Sequence, residues 1–105
     1  MYQMLIADDE RAARDGLRSL VDWQVHGVEI VAECENGADA VDATTTHKPD
    51  IAIVDIRMPF VDGIEYCRRT YSMSPRPRII IASAYDRFEY AQEAIRYGVS
   101  GYLLK

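Results

Sequence analysis

Five short apolar runs, separated by longer stretches of helical period, constrain this chain more than any other feature. The runs are Met4-Leu5-Ile6-Ala7, Val28 to Cys34, Ile51-Ala52-Ile53-Val54, Ile79-Ile80-Ile81-Ala82 and Tyr102-Leu103-Leu104. Each has strand length, and the segments between them repeat apolar residues at helical spacing. Ala13, Leu17, Leu20 and Val21 share one helical face; Ala40, Val41 and Ala43 form a shorter one; Ile64, Cys67 and Tyr71 a third; Phe88, Ala91 and Ile95 a fourth. Cap signals mark three helix starts: Asn36 with Asp39, Asp62 with Glu65, and Asp86 with Glu89. Gly98 closes the fourth helix. Regular strand-helix alternation predicts an α/β fold, a parallel sheet with helices on both faces.

Polarity orders the strands. The second run carries Glu29 and Glu33, whereas the first, third and fourth are almost wholly apolar, so the second suits an edge. Placing it beside the first gives a doubly wound, five-stranded sheet of flavodoxin-like order 2-1-3-4-5, with its switch point between strands one and three. Right-handed crossovers then put helix one alone on one face and helices two, three and four on the other. The first face is left thinly covered.

At 105 residues the chain has room for one domain. A formal net charge of -5 argues against nucleic acid or an anionic membrane as a direct partner, since both select basic surfaces. No apolar run approaches the roughly 20 residues of a membrane span, and Met1 to Ala7 lacks the marks of a secretory signal, so a cytoplasmic location is expected. Cys34 and Cys67 lie far apart without metal-ligand spacing and read as buried thiols. Arg76 and Arg78 around Pro77 read as a solvated loop, and His26 and His47 as surface residues.

In a parallel sheet every strand ends on the same side, so residues that follow the apolar runs gather in space. Asp8, Asp9 and Glu10 follow the first run, Asp55 the third, Ser83 the fourth and Lys105 the fifth. The topology brings Asp8, Asp9 and Asp55 to one crevice at the switch point. Two unit charges ~4 Å apart repel by roughly 4 kcal/mol at an effective dielectric of about 20, so such a cluster takes up protons or binds a cation. Oxygen ligands without His or Cys favour a hard ion, and a sparse set that leaves room for water and phosphate oxygens favours Mg²⁺. A lysine ammonium and a serine hydroxyl suit phosphoryl oxygens, and a carboxylate is a covalent phosphoryl acceptor. The residues thus point to phosphoryl transfer onto an aspartate. Taken one at a time they have plainer roles: Asp8 or Asp9 is expected to cap helix one in part, Ser83 could open a turn, and Lys105 could be a frayed end.

At these residues the chain resembles the receiver domain of bacterial two-component response regulators. The likeness spans essentially the whole chain and rests on "LIADDE", "VDIRMPFVDG", "IIIASAY" and "GYLLK". It implies that Asp55 is the phosphoacceptor for a sensor histidine kinase or a small phosphodonor. It implies Mg²⁺ held by Asp8, Asp9, Asp55 and the backbone carbonyl of Arg57. Ser83 becomes the switch hydroxyl, Lys105 the phosphoryl-contacting lysine, and Tyr102 the aromatic whose ring follows that hydroxyl inward. The stretches "SAYDRFEYAQEAI" and "VDWQVHGVEIVAE" resemble receivers attached to AraC-type helix-turn-helix output domains, which implies a transcription regulator.

Two departures accompany the resemblance. Phe60 and Val61 stand in the turn after Met58-Pro59, where small residues or methionine are common in the family. The family also continues past the final lysine into a fifth helix, so a truncated receiver is expected, with association through the bare face. Self-association through the helix-four side is the other expectation, because Tyr90, Ala94 and Tyr97 form a second stripe beside Phe88, Ala91 and Ile95. Three competing classes fit less well. An aspartyl-phosphate phosphatase needs an acid two residues after its nucleophile, where this chain has Arg57; a flavin or nucleotide binder needs a glycine-rich loop where this chain has "ADDERAARDG"; and a non-phosphorylated interaction module of the same fold has no use for the complete acid, hydroxyl and lysine set.

Overall fold

The computed structural model describes residues 1–84 and 88–104, the side chain of Phe88 excepted. Strands β1 (Tyr2–Ala7), β2 (Val28–Cys34), β3 (Ile51–Val54), β4 (Arg78–Ser83) and β5 (Gly101–Leu104) alternate with helices α1 (Arg11–Leu20), α2 (Gly37–His47), α3 (Gly63–Thr70) and α4 (Phe88–Arg96). The sheet is wholly parallel and runs β2-β1-β3-β4-β5, the expected order. Among the described residues no helix is long and apolar enough to cross a membrane.

Alternation along the central strands divides the core in two. Leu5, Ala7, Ala52, Val54, Ile79 and Ile81 face α2, α3 and α4, where Ala40, Tyr66, Cys67 and Ala94 complete a large buried cluster. Met4, Ile6, Ile53 and Ala82 face the other way into a smaller cluster with Val28, flanked by half-buried Leu17 and Trp23. The edge character of β2 is also explained: its Glu33 forms ion pairs with Arg14 and Arg18 of α1.

Helix α1 covers less than its sequence stripe predicts. No α1 residue is fully buried, Leu20 is exposed, and Val21 turns extended at φ −140° and ends the helix one residue short of the expected face. Trp23 compensates by folding back to donate its indole N–H to the Leu17 carbonyl at 2.9 Å. Nor does an aspartate cap α1. Glu10 holds the N-cap position without a side-chain bond, and the Asp8 carboxylate instead accepts the Glu10 amide at 2.9 Å, one residue ahead of the helix.

The other helices are capped as expected where they are described. Asn36 accepts from the Asp39 amide and Asp62 from the Glu65 amide, each at 2.8 Å; the Asp86 signal lies outside the described residues. Gly98 ends α4 at φ +71°, a conformation glycine adopts without strain. Their buried faces differ from the expected ones in detail. Thr44 and Tyr66, which the apolar pattern passes over, are buried and bonded to each other at 2.7 Å between α2 and α3. Thr44 already donates to the Ala40 carbonyl, so the Tyr66 hydroxyl is the donor of that pair. Tyr71, expected on the α3 face, is largely exposed.

On α4 the second stripe lies inward, and Ile95 of the first does not. Ala94 is fully buried and Tyr90 and Tyr97 pack beside it on the large cluster, whereas Ile95 points to solvent. The alanine lets the helix approach closely; the isoleucine stripe would hold it off. Arg76 is not a solvated loop residue either. Its guanidinium donates to the Tyr97 and Gly98 carbonyls at the end of α4 and lies 5.2 Å from the Tyr71 ring, which meets Tyr97 edge-on. Unsatisfied carbonyls at a helix C-terminus attract such a cation.

Candidate functional site

Strand register builds the site. Ala7 of β1 pairs with Val54 of β3, so Asp8 and Asp55 leave adjacent strands at the same level. The ladder extends past both: the Asp55 amide donates to the Ala7 carbonyl at 2.9 Å, and the Asp8 amide to the Cys34 carbonyl at 3.0 Å. With both backbones fixed, oxygens of Asp8, Asp9 and Asp55 all lie within 4.8 Å of one another. Asp8 is 1% exposed and Asp55 9%, while Asp9 opens to solvent. This is a crevice with one wet wall, and its donor set is the hard-oxygen chemistry expected for Mg²⁺.

The next strands contribute in order. β4 pairs Ile81 with Val54, and its last residue, Ser83, is fully buried at the same edge. β5 pairs Leu104 with Ser83; Lys105 lies outside the described residues. Tyr102 is half-buried beside Ile81 and packs against the large cluster, on the α2–α3–α4 side of the sheet. Arg57 is exposed in the loop after Asp55.

That loop is held from below by two glycines. The Gly63 amide donates to the Ile56 carbonyl at 2.7 Å, closing the loop, and a Cβ at Gly63 would fall inside the Asp55 carbonyl. A Cβ at Gly37, the first residue of α2, would likewise fall inside the Val61 carbonyl. Met58 and Val61 are buried as the loop's two anchors, and one Asp55 carboxylate oxygen accepts the Ile56 amide at 2.8 Å. Between the anchors, Pro59 and Phe60 face solvent. Phe60 has φ +68° and the Val61 amide bonds the Pro59 carbonyl at 2.8 Å, a positive-φ γ-turn that is rare and strained. A bulky residue in such a conformation costs of order 1–3 kcal/mol.

Sequence reasoning missed Arg14. It reaches from α1 to donate to the Asp8 backbone carbonyl at 2.7 Å and ties that helix to the site. An arginine one turn into the helix after an acidic cluster was the available signal.

An acidic crevice at the carboxyl ends of β1 and β3 does not by itself fix a function, and comparison with known proteins makes the class definite. Residues 4–105 match the response regulator receiver domain family, and the chain belongs to it. It is 39% identical to the uncharacterized transcriptional regulatory protein YesN of Bacillus subtilis over all 105 residues, which is 28% of that protein. It is 33% identical to the transcriptional regulatory protein HptR of Staphylococcus aureus, of which it covers 41%. The chain thus spans less than half the length of these curated relatives. Among solved structures, the receiver domain of AraT, a response regulator from Geobacillus stearothermophilus, superposes with a TM-score of 0.91 at 41% identity, covering 99% of this chain and 81% of that one. The expected resemblance to receivers of two-component transcriptional regulators holds.

Proposed function

We propose that this domain is a phosphorylation-dependent switch in which Asp55 takes a phosphoryl group from a sensor histidine kinase. The observation that carries the reading is the juxtaposition of Asp8, Asp9 and Asp55 at the ends of neighbouring strands, with Ser83 buried at the end of the next. An Asp55 carboxylate oxygen attacks phosphorus, and the bond to the donor breaks. Asp8, Asp9, Asp55 and the Arg57 carbonyl are the groups to hold Mg²⁺, which supplies the positive charge that lets an anionic phosphodonor approach an anionic acceptor. Asp8 and Asp55 are pre-oriented by the strand ladder, so little order remains to be imposed when the ion and donor arrive.

Ser83 donates its hydroxyl to a phosphoryl oxygen, and Lys105, which follows β5 in sequence, contacts another. Phosphorylation adds about 1.5 to 2 negative charges and three acceptor oxygens. The modified site then favours one arrangement of the segments around Ser83 and Tyr102, a population shift that an output domain reads. In this reading the output domain is an AraC-type transcription regulator in the cytoplasm, supported by the transcriptional relatives and their greater length.

Incubation with acetyl phosphate and Mg²⁺, read by intact mass, tests the mechanism. The parent chain gains one phosphoryl group; Asp55→Asn does not, and Asp8→Asn slows uptake. Uptake by Asp55→Asn equal to the parent's would refute the assignment.

A further inference from the structure

Among the described residues, Phe60 is the most solvent-exposed large apolar residue near the site, at 89%, and it sits in the strained γ-turn after Pro59. Exposed apolar side chains are common and by themselves signify nothing. Leu20, Val25 and Ile95 are also exposed, but none of them has positive φ. At Phe60 the backbone is one that glycine takes freely and a residue with a Cβ takes at a cost. The ring makes almost no contact within the domain that could offset that cost. Its neighbours Met58 and Val61 are buried, so the turn is a fixed pedestal for the ring.

Position then identifies what the ring meets. Phe60 is three residues from Gly63, at most ~11 Å of chain, and Gly63 lies against the Asp55 backbone. A protein that docks on Asp55 with an ordinary interface buries about 800 Å² of this domain, a patch roughly 15 Å in radius. A partner centred on Asp55 covers Phe60. A small phosphodonor does not reach it.

We propose that Phe60 is the aromatic anchor for the protein that brings the phosphoryl group, seating in an apolar hollow beside that protein's phosphohistidine. The inference rests on Asp55 being the acceptor. In the transfer an Asp55 oxygen bonds phosphorus, the phosphorus–nitrogen bond breaks, and its electron pair stays on the imidazole. Phe60 takes no part in those bonds. It is a positioning and specificity residue, of the kind that dominates interfaces when a rigid aromatic is held out from the surface.

The test compares two donors on the parent, Phe60→Gly and Phe60→Tyr. One donor is acetyl phosphate with Mg²⁺; the other is the set of autophosphorylated sensor-kinase catalytic domains from the source genome, assayed with whichever transfers fastest to the parent. With acetyl phosphate all three chains react at rates within about twofold of each other. With the kinase, kcat/KM of Phe60→Gly falls about tenfold or more, chiefly through KM, while Phe60→Tyr stays within about threefold of the parent. Phe60→Gly melts no lower than the parent, because glycine relieves the turn. Parental transfer matched by Phe60→Gly overturns this proposal alone. Failure of the parent with both donors, or with every kinase, overturns it as well, and failure with both removes Asp55 as the acceptor.

Discussion

The two faces of the sheet are built from the same strands and behave differently. On the α2–α3–α4 side, the first residues of α2 and α3, Gly37 and Gly63, lie so close to the loop after β3 that they have no room for a Cβ, and the gap between α2 and α3 is closed by the Thr44–Tyr66 hydroxyl pair. On the α1 side the helix buries none of its residues fully, Gly16 has nothing within 4 Å, and Leu103 of β5 is largely exposed. The loop that follows Asp55 is anchored on the first face alone, through Gly37, Val61 and Gly63. Close packing there is therefore part of the site: it sets where the Asp55 backbone can be. From the second face, Arg14 bonds the Asp8 carbonyl.

Glycine substitutions should separate the faces most sharply. Gly63→Ala and Gly37→Ala each drive a methyl into the backbone carbonyl of a residue, Asp55 or Val61, whose own amide is hydrogen-bonded. Overpacking of this kind costs typically 1–3 kcal/mol and more where backbone must move, so we expect ~3 kcal/mol at either position. Gly16→Ala, in open space within a helix, should instead stabilise by about 0.5–1 kcal/mol. Urea unfolding midpoints measure all three. Acetyl phosphate uptake adds a second discrimination, since Gly63→Ala displaces the Asp55 carbonyl and slows uptake even where the chain is folded, while Gly16→Ala leaves uptake unchanged. Equal effects at Gly16 and Gly63 would erase the distinction between the faces.

What the sequence made legible follows the same division. Strands were readable to within two residues because buried parallel strands are continuous apolar runs, and Asp8, Asp55 and Ser83 were readable because a parallel sheet gathers the residues that end its strands. Periodicity says that α4 has an apolar face but not which of two adjacent stripes lies inward. Ala94 decides that by its small size, a steric fact that depends on the neighbouring helix and sheet. Polar partners across elements were equally hidden. Tyr66 and Thr44 look neutral in sequence, and Arg76 looks solvated, until the fold sets a hydroxyl or a helix end beside them. Phe60 shows how backbone conformation escapes pattern: nothing in its residue type announces a positive φ.

A smaller effect comes from titration, again on the closely packed face. Burial pushes the Cys67 thiol up to about 12 from 9.0, the Cys34 thiol to about 11, and the Tyr66 phenol to about 12 from 10.0. Below about pH 9 both folded and unfolded chains keep these protons, and their contribution is fully present. Above that the unfolded chain ionises while the folded one does not, so stability falls as pH rises from about 9 toward 12. Urea midpoints at pH 7.5, 9.5 and 10.5, pH values chosen about this window, should decline in the parent and decline less in Cys67→Ala compared with its own neutral-pH value. The same thiols should resist iodoacetamide in the folded chain. A flat profile, or rapid labelling of Cys67, would mean that this face opens more readily than its packing implies.

The smallest effect should come from the outer surface of α3. Glu65 accepts from Arg68 and from Arg69, and these hydrogen bonds, Arg68's first, hold its carboxyl down at about 2 from 4.5. A lowered carboxyl contributes stability above about pH 4.5 that is lost as pH falls toward 2. The pair lies in solvent, however, where side-chain entropy and screening leave little net gain. Glu65→Gln should therefore move the unfolding midpoint barely at neutral pH, and the parent's slight extra stability should vanish on acidification or in high salt. The Glu65 amide bond to the Asp62 cap survives the substitution, since it uses the backbone. A large loss in Glu65→Gln would show that α3 is held by its exposed charges as much as by Tyr66 and Cys67 beneath it, and the contrast between the two faces would then rest on electrostatics and not on close packing.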